Sequence, residues 1–88
     1  MNVRVNGALL RFTDYRRVIS VEAPTIQAAL TELAGEYPPL QSVLFDRMGR
    51  VRATHRVFLN GDLLAPDQLA IPAGDDDSVE LLLAISGG

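Results

Sequence analysis

The stretch Leu69-Ala70-Ile71-Pro72-Ala73-Gly74-Asp75-Asp76-Asp77-Ser78-Val79-Glu80-Leu81-Leu82-Leu83-Ala84-Ile85-Ser86-Gly87-Gly88 decides how this chain folds. Proline, glycine and three aspartates between Pro72 and Asp77 make a polar turn. From Ser78 to Ile85 the residues are apolar and alternate, which predicts a strand with Val79, Leu81, Leu83 and Ile85 on the core side and Glu80, Leu82 and Ala84 outward. The strand runs straight into two glycines, a combination that chance produces in roughly one chain in 200 at ordinary glycine usage. Without a Cβ, Gly87 and Gly88 pass through a narrow channel and leave the α-carboxylate as the only functional group at the tip. The bland alternative is a flexible end.

Upstream of this stretch, Arg56-Val57-Phe58-Leu59 reads as a strand, Asn60-Gly61 as a tight two-residue hairpin turn, and Leu63-Leu64-Ala65 as its short return. Between Leu40 and His55 the pattern is weak and predicts an ordered loop that admits a helical turn at Leu40 to Phe45 and a glycine turn at Met48-Gly49-Arg50. A helix is predicted from Pro24-Thr25 to Tyr37. Thr25 is placed to cap its first N–H groups, and Ile26, Ala29, Leu30, Leu33, Ala34 and Tyr37 recur along one face. Pro38-Pro39 closes it. Further upstream, Arg17 to Glu22 reads as one strand and the segment opening at Asn2, with Val3 and Val5 alternating against Arg4 and Asn6, as another. Strand, strand, helix, strand, short strand, strand is an α+β order, with one helix across a mixed sheet.

At 88 residues the chain makes one domain, residues 1–88. A domain of that size buries only about 60–65 % of its unfolded surface and has little area for a deep substrate cavity, which disfavours an autonomous enzyme. Hydrophobic content of 48 % with 22 % charge is globular, and no apolar run approaches the ~18 residues that cross a bilayer. Nothing near Met1 reads as a secretory signal, so a cytoplasmic location is expected. Cysteine is absent and all eight basic residues are arginine. There is thus no side-chain thiol, and no lysine on which the chain can receive an isopeptide bond. A net charge of −3, with no basic stretch interleaved by aromatics, argues against a nucleic-acid partner.

Four features carry a resemblance: Ile71 followed by Asp75-Asp76-Asp77-Ser78-Val79, the apolar strand ending in Gly87-Gly88, Asn60-Gly61 in the hairpin, and Thr25 before the helix. With these the chain resembles the ubiquitin-like β-grasp sulfur carriers of the MoaD/ThiS family over essentially its whole length. Where the family turn has a central glycine, this chain has Asp76, whose tolerance of left-handed backbone comes at some strain. Small subunits of molybdopterin synthase carry prolines shortly before the diglycine, whereas this chain reads Leu83-Ala84-Ile85-Ser86. Its length and the insertion before Arg56 look more like the CysO-type carriers, which feed sulfur to cysteine or to thio-containing natural products.

The resemblance implies a chemistry centred on Gly88. An enzyme of the ubiquitin-activating type uses ATP to adenylate the terminal carboxylate, sulfide or an enzyme persulfide displaces AMP, and the thiocarboxylate donates sulfur inside a separate biosynthetic enzyme. The chain is then a protein cosubstrate that binds no cofactor itself, with Gly87 giving the tail its access and Ile85 and Ser86 joining the contact with partners. The family topology sets the third strand beside the last and Phe58 next to Leu82. Phe58 and Leu82, flanked by Arg4 and Arg56, form the expected docking patch on the outward face of a chain that is a monomer by itself. The alternative functions are the small subunit of molybdopterin synthase, a modifier that joins Gly88 to lysines of other proteins, and a β-grasp binding module whose diglycine is incidental. His55 receives no role, as a loop or strand-edge residue. The Asp75 to Asp77 turn lacks calcium-loop spacing and is expected to hold no metal. The arginines at 47, 50 and 52, like Arg16-Arg17, read as a solvated face.

Overall fold

The computed structural model describes residues 1–83 of the chain. Five strands form one sheet: β1 (Asn2–Val5), β2 (Val18–Ser20), β3 (His55–Leu59), β4 (Asp62–Leu64) and β5 (Ser78–Leu83), in the order β2-β1-β5-β3-β4. The last strand lies in the centre. It runs parallel to β1, with Val3 beside Val79 and Val5 beside Leu81, and antiparallel to β3, with Val57 beside Leu81 and Leu59 beside Val79. Alternation puts Val3, Val5, Val57, Val79 and Leu81 on one face, and all five are buried. Ile26, Ala29, Leu30, Leu33 and Ala34, the apolar stripe of α1 (Ile26–Glu36), join them in a single core. This is the ubiquitin-like β-grasp arrangement, a mixed sheet with a helix across it.

The start of α1 shows how sequence sets the packing. The first N–H groups of a helix have no partner in its own backbone ladder, and here those of Ile26, Gln27 and Ala28 each find one before the ladder begins at Ala29. Ile26 and Gln27 donate to the carbonyls of Ile71 (3.3 Å) and Leu69 (2.7 Å), and Ala28 and Ala29 donate to Thr25, through its Oγ1 (3.1 Å) and its carbonyl (3.0 Å). Thr25 therefore caps the helix, and the segment before the acidic turn fastens it to the sheet.

Asn60 and Gly61 both have positive φ, at 51° and 90°, the geometry that two-residue hairpin turns require and that Asn-Gly adopts most readily. The turn is tied to the start of β5. Asn60 donates from Nδ2 to Asp77 Oδ1 (3.0 Å) and accepts at Oδ1 from the Ser78 N–H (2.9 Å), while the Asn60 N–H donates to the Ser78 carbonyl (2.8 Å). Asp77 also accepts from the Gly74 N–H at 2.7 Å. The Asn60 amide, and then the Gly74 N–H, hold the Asp77 carboxyl below the usual carboxylate range.

Several expectations are corrected. Pro38-Pro39 ends α1 and also begins α2 (Pro38–Leu44), because proline fits the first helical positions, where no N–H bond is lost. Leu40 and Leu44 of α2 are fully buried in what was read as a loop. Gly7, at φ +61°, turns the chain out of β1 into a 3₁₀ segment, Gly7–Phe12, that buries Leu9. The strand expected over Arg17 to Glu22 is the shorter β2, Val18–Ser20. Among the described residues, the non-glycine residues with positive φ are Asp14, Tyr15 and Asn60. Asp76 is not among them, so its place in the turn costs no left-handed strain. His55 is the first residue of β3 and is 6 % exposed.

Removing the Leu33 side chain, which is fully buried, is expected to cost about 2–5 kcal/mol. Chemical denaturation of Leu33→Ala measures it. A midpoint equal to that of the parent would show that the α1 stripe is not the core.

Candidate functional site

The sheet face away from α1 carries the candidate site. Cross-strand register builds one row across all five strands: Val18 beside Arg4, Arg4 beside Glu80, Glu80 beside Phe58, and Phe58 beside Leu63. In the next outward position Leu82 stands opposite Arg56. Val18, Leu63 and Leu82 are 48 %, 57 % and 40 % exposed, and Arg4 and Arg56 are also exposed. Phe58 is half-buried. Exposed apolar side chains gathered on one strand-ordered face, with arginines beside them, form a surface suited to association.

Arg4, Arg56, Phe58 and Leu82 thus share this face, with two corrections to the expected geometry. Glu80 lies directly opposite Phe58, and Leu82 is its diagonal neighbour, a separation of ~7–8 Å between backbones that large side chains still span. Partial burial also gives Phe58 a share in stability. Val18 and Leu63, absent from the expected patch, extend it to both sheet edges. Their signal was the short β2 and β4 segments, too brief for alternation to assign a face. Asn6 donates to the Glu80 carboxylate and so anchors the one acid in the row.

Arginines outnumber acids at one end of the strands. The end of the sheet where β5 finishes at Leu83 is also where β1 ends, β2 begins and β3 begins. The connections at that end contain Arg11, Asp14, Arg16 and Arg17 before β2, and Asp46, Arg47, Arg50 and Arg52 before β3, with Arg56 on β3 itself. At the opposite end lie Asp62 after the hairpin turn, Asp75 to Asp77 before β5, and Glu22 after β2. Arg56 is fixed by donating to the carbonyls of Ala53 (2.8 Å) and His55 (3.2 Å), and Arg52 by donating from Nε to the Ser42 carbonyl (3.1 Å). Asp46 holds the intervening turn by accepting from the N–H groups of Met48 (2.8 Å) and Arg50 (3.0 Å). Ile85, Ser86, Gly87 and Gly88 lie outside the described residues.

His55 sits inside this basic end. Burial pushes its imidazole below the ordinary histidine range; the backbone of Arg52 opposes this and the Arg52 charge adds to it to a smaller extent. Its Nδ1 lies 3.3 Å from Thr54 Oγ1, and Nε2 is buried with no hydrogen-bond partner among the described residues. Among the described residues, no three His, Cys, Asp or Glu side chains come together as a metal site, and no helix is long and apolar enough to cross a membrane.

A sequence model of the ThiS family matches residues 3–88. The chain belongs to the ThiS family. Solved structures agree in fold. SAMP1 from Haloferax volcanii is 26 % identical with a TM-score of 0.82, the match covering 99 % of this chain and 97 % of that one. The small archaeal modifier protein 1 of Methanosarcina acetivorans is 19 % identical with a TM-score of 0.87, over 99 % and 94 %. In the Amycolatopsis orientalis BexX/CysO complex the matching chain is 16 % identical with a TM-score of 0.85, over 99 % and 98 %. No curated protein sequence matches significantly. As a ThiS-family β-grasp, the chain has the sheet face and central last strand just described.

Two outcomes test this geometry. Leu82→Glu is expected to leave stability within about 0.5 kcal/mol, whereas Phe58→Glu, at a half-buried position, is expected to cost about 1–2 kcal/mol. Equal, large losses in both would mean that this face is packed. The second outcome concerns pH. The folded-state pKa of His55 lies below its unfolded value of 6.5, so this contribution to stability is complete above that value and is lost as pH falls through and below it. Denaturation midpoints should fall between about pH 7 and 5, and His55→Leu should flatten that slope; an unchanged slope would contradict it.

Proposed function

We propose that this chain is a sulfur carrier whose Gly88 carboxylate is converted to a thiocarboxylate for delivery to a biosynthetic enzyme, for cysteine or a thio-containing natural product. The observation that carries the reading is the ThiS-family match running through Gly87 and Gly88, on a body whose last strand is the central one. In this role residues 1–88 act as one cytoplasmic domain. The chain is a cosubstrate and the catalysts are its partners.

A carboxylate is a poor electrophile until its oxygen acquires a leaving group. Attack of the Gly88 carboxylate on the α-phosphorus of ATP, in an adenylating enzyme, forms the acyl-adenylate and releases pyrophosphate. Hydrosulfide then adds at the acyl carbon and AMP leaves; an enzyme persulfide does the same, with a thiol cleaving the resulting S–S bond. The thiocarboxylate is a sulfur nucleophile on a protein handle. Five residues beyond Leu83 span at most about 17 Å, so a partner's active site can receive the terminus while its surface meets Arg4, Phe58, Leu82 and Arg56. Ile85 and Ser86 fall within the contact. The chain itself needs no cofactor.

A second reading has an observation behind it. The Haloferax volcanii relative in the comparison is a small archaeal modifier protein, and the same adenylate, attacked by a lysine amine of another protein, gives an isopeptide bond. Both readings share activation at Gly88, and they part at the sulfur step. A molybdopterin synthase small subunit would differ only in the acceptor.

Deleting Gly88, or replacing Gly87 with valine, is expected to leave folding intact and to lower ATP–pyrophosphate exchange by the activating enzyme at least about a hundredfold, since displacement of a reacting group by an ångström already costs that much. Undiminished exchange in both variants would eliminate the carrier and the modifier together.

A further inference from the structure

A cleft of about 450 Å³ opens at the basic end of the sheet, between β4 with the 3₁₀ segment Pro66–Gln68 on one side and the residues leading into β3 on the other. That volume is within the ~300–1,000 Å³ typical of ligand sites. Its walls are mainly apolar, with Val57, Leu64, Ala65 and Leu69 among them, and Arg52, His55 and Arg56 also line it. The cleft exists because β4 is short. The register pairs β4 with β3 only from Val57 to Leu59, so His55 and Arg56 have no strand neighbour on that side. Both lining arginines are held by hydrogen bonds to backbone carbonyls, and among the described residues no acidic side chain lines the cleft, Asp67 standing outside it between the lining residues Pro66 and Gln68.

We propose that this cleft is a docking site for an extended segment of a partner protein, one that inserts a large apolar side chain between Leu64 and Leu69 and sets carboxylates against Arg52 and Arg56. The cleft follows β3 past the point where β4 stops pairing with it, a course that suits an extended chain held through its side chains, since the His55 N–H and carbonyl are already bonded to the Arg52 carbonyl (3.0 Å) and the Arg56 guanidinium (3.2 Å). The apolar walls suit one anchoring side chain, the form that interface hot spots take. The charge selects the partner: in a chain of net charge −3, this end carries Arg11, Arg16, Arg17, Arg47, Arg50, Arg52 and Arg56 against Asp14, Asp46 and Asp67, an excess of positive charge that attracts an acidic surface and steers its approach. The site lies around the edge of the sheet from Phe58 and Leu82. A partner can therefore grip the outer face and this cleft together, on either side of the point where β5 ends. The inference needs no sulfur chemistry and stands apart from the proposed function.

The test uses the full chain and a synthetic peptide, acetyl-Asp-Glu-Leu-Phe-Glu-Asp-amide, followed by ¹H–¹⁵N NMR. The expected result is shifts concentrated at His55, Leu64, Ala65 and Leu69, salt-sensitive binding, and no binding of the same peptide with lysines in place of its acids. Arg52→Glu with Arg56→Glu is expected to weaken binding roughly tenfold or more. Ala65→Glu, at an exposed position of the cleft, should do the same without touching the arginine hydrogen bonds, and a native-like spectrum shows that each variant is folded. Equal binding of the lysine peptide, shifts confined to Phe58 and Leu82, or full affinity in folded Ala65→Glu would overturn the proposal. So would binding that appears only after truncation behind Leu83, which would make the chain's own C-terminal residues the occupant.

Discussion

The last strand of the chain is the middle strand of its sheet, and the rest of the structure depends on that placement. Val79 and Leu81 lie between Val3 and Val5 on one side and Val57 and Leu59 on the other, under the apolar stripe of α1. Without β5 the sheet separates into two two-stranded ribbons, β2-β1 and β3-β4, neither of which is stable alone in water. Forming the body and fixing the point from which the C-terminal residues depart are consequently one event. A terminus carried by an edge strand would fray independently of the core; this one leaves a strand paired on both sides up to Leu81 and with β3 up to Leu83.

The ties around β5 follow the same logic. Asn60 and Asp77 lock the hairpin to the start of the strand, and the carbonyls of Leu69 and Ile71 fasten the helix N-terminus to the segment just before it. The acidic turn stays at one end and the arginines gather at the other. The absence of lysine takes on chemical meaning here. An activated carboxyl reacts with amines, and the remaining amine, the α-amino group of Met1, is buried and donates to the Val21 carbonyl at 2.8 Å. The sequence offers an activated terminus no lysine amine.

Much of this was legible in the sequence because the signals were local. Thr25, the 3.6-residue stripe of α1 and Asn60-Gly61 each determine a structure within a few residues of themselves, and the Asp75 to Gly88 pattern carried the family. What was not legible depends on distant partners. Leu40 and Leu44 give a seven-residue helix too few repeats to show a period, and only contact with the core makes them helical and buried. The register that sets Phe58 against Glu80 is a property of two strands 22 residues apart, so alternation predicted the face and not the neighbour. His55 is buried because β3 starts one residue earlier than its apolar run suggests. The cleft beside it reflects the shortness of β4, which no single residue announces.

The central claim is that this fold presents Gly88 as a carrier of sulfur. The most direct measurement is the intact mass of the chain after incubation with ATP, sulfide and its activating enzyme. The account predicts a gain equal to the replacement of one oxygen by sulfur, followed by the further mass of one alkyl group when an alkylating reagent caps the new sulfur. A chain that becomes covalently joined to other proteins through Gly88 without ever gaining sulfur would contradict it.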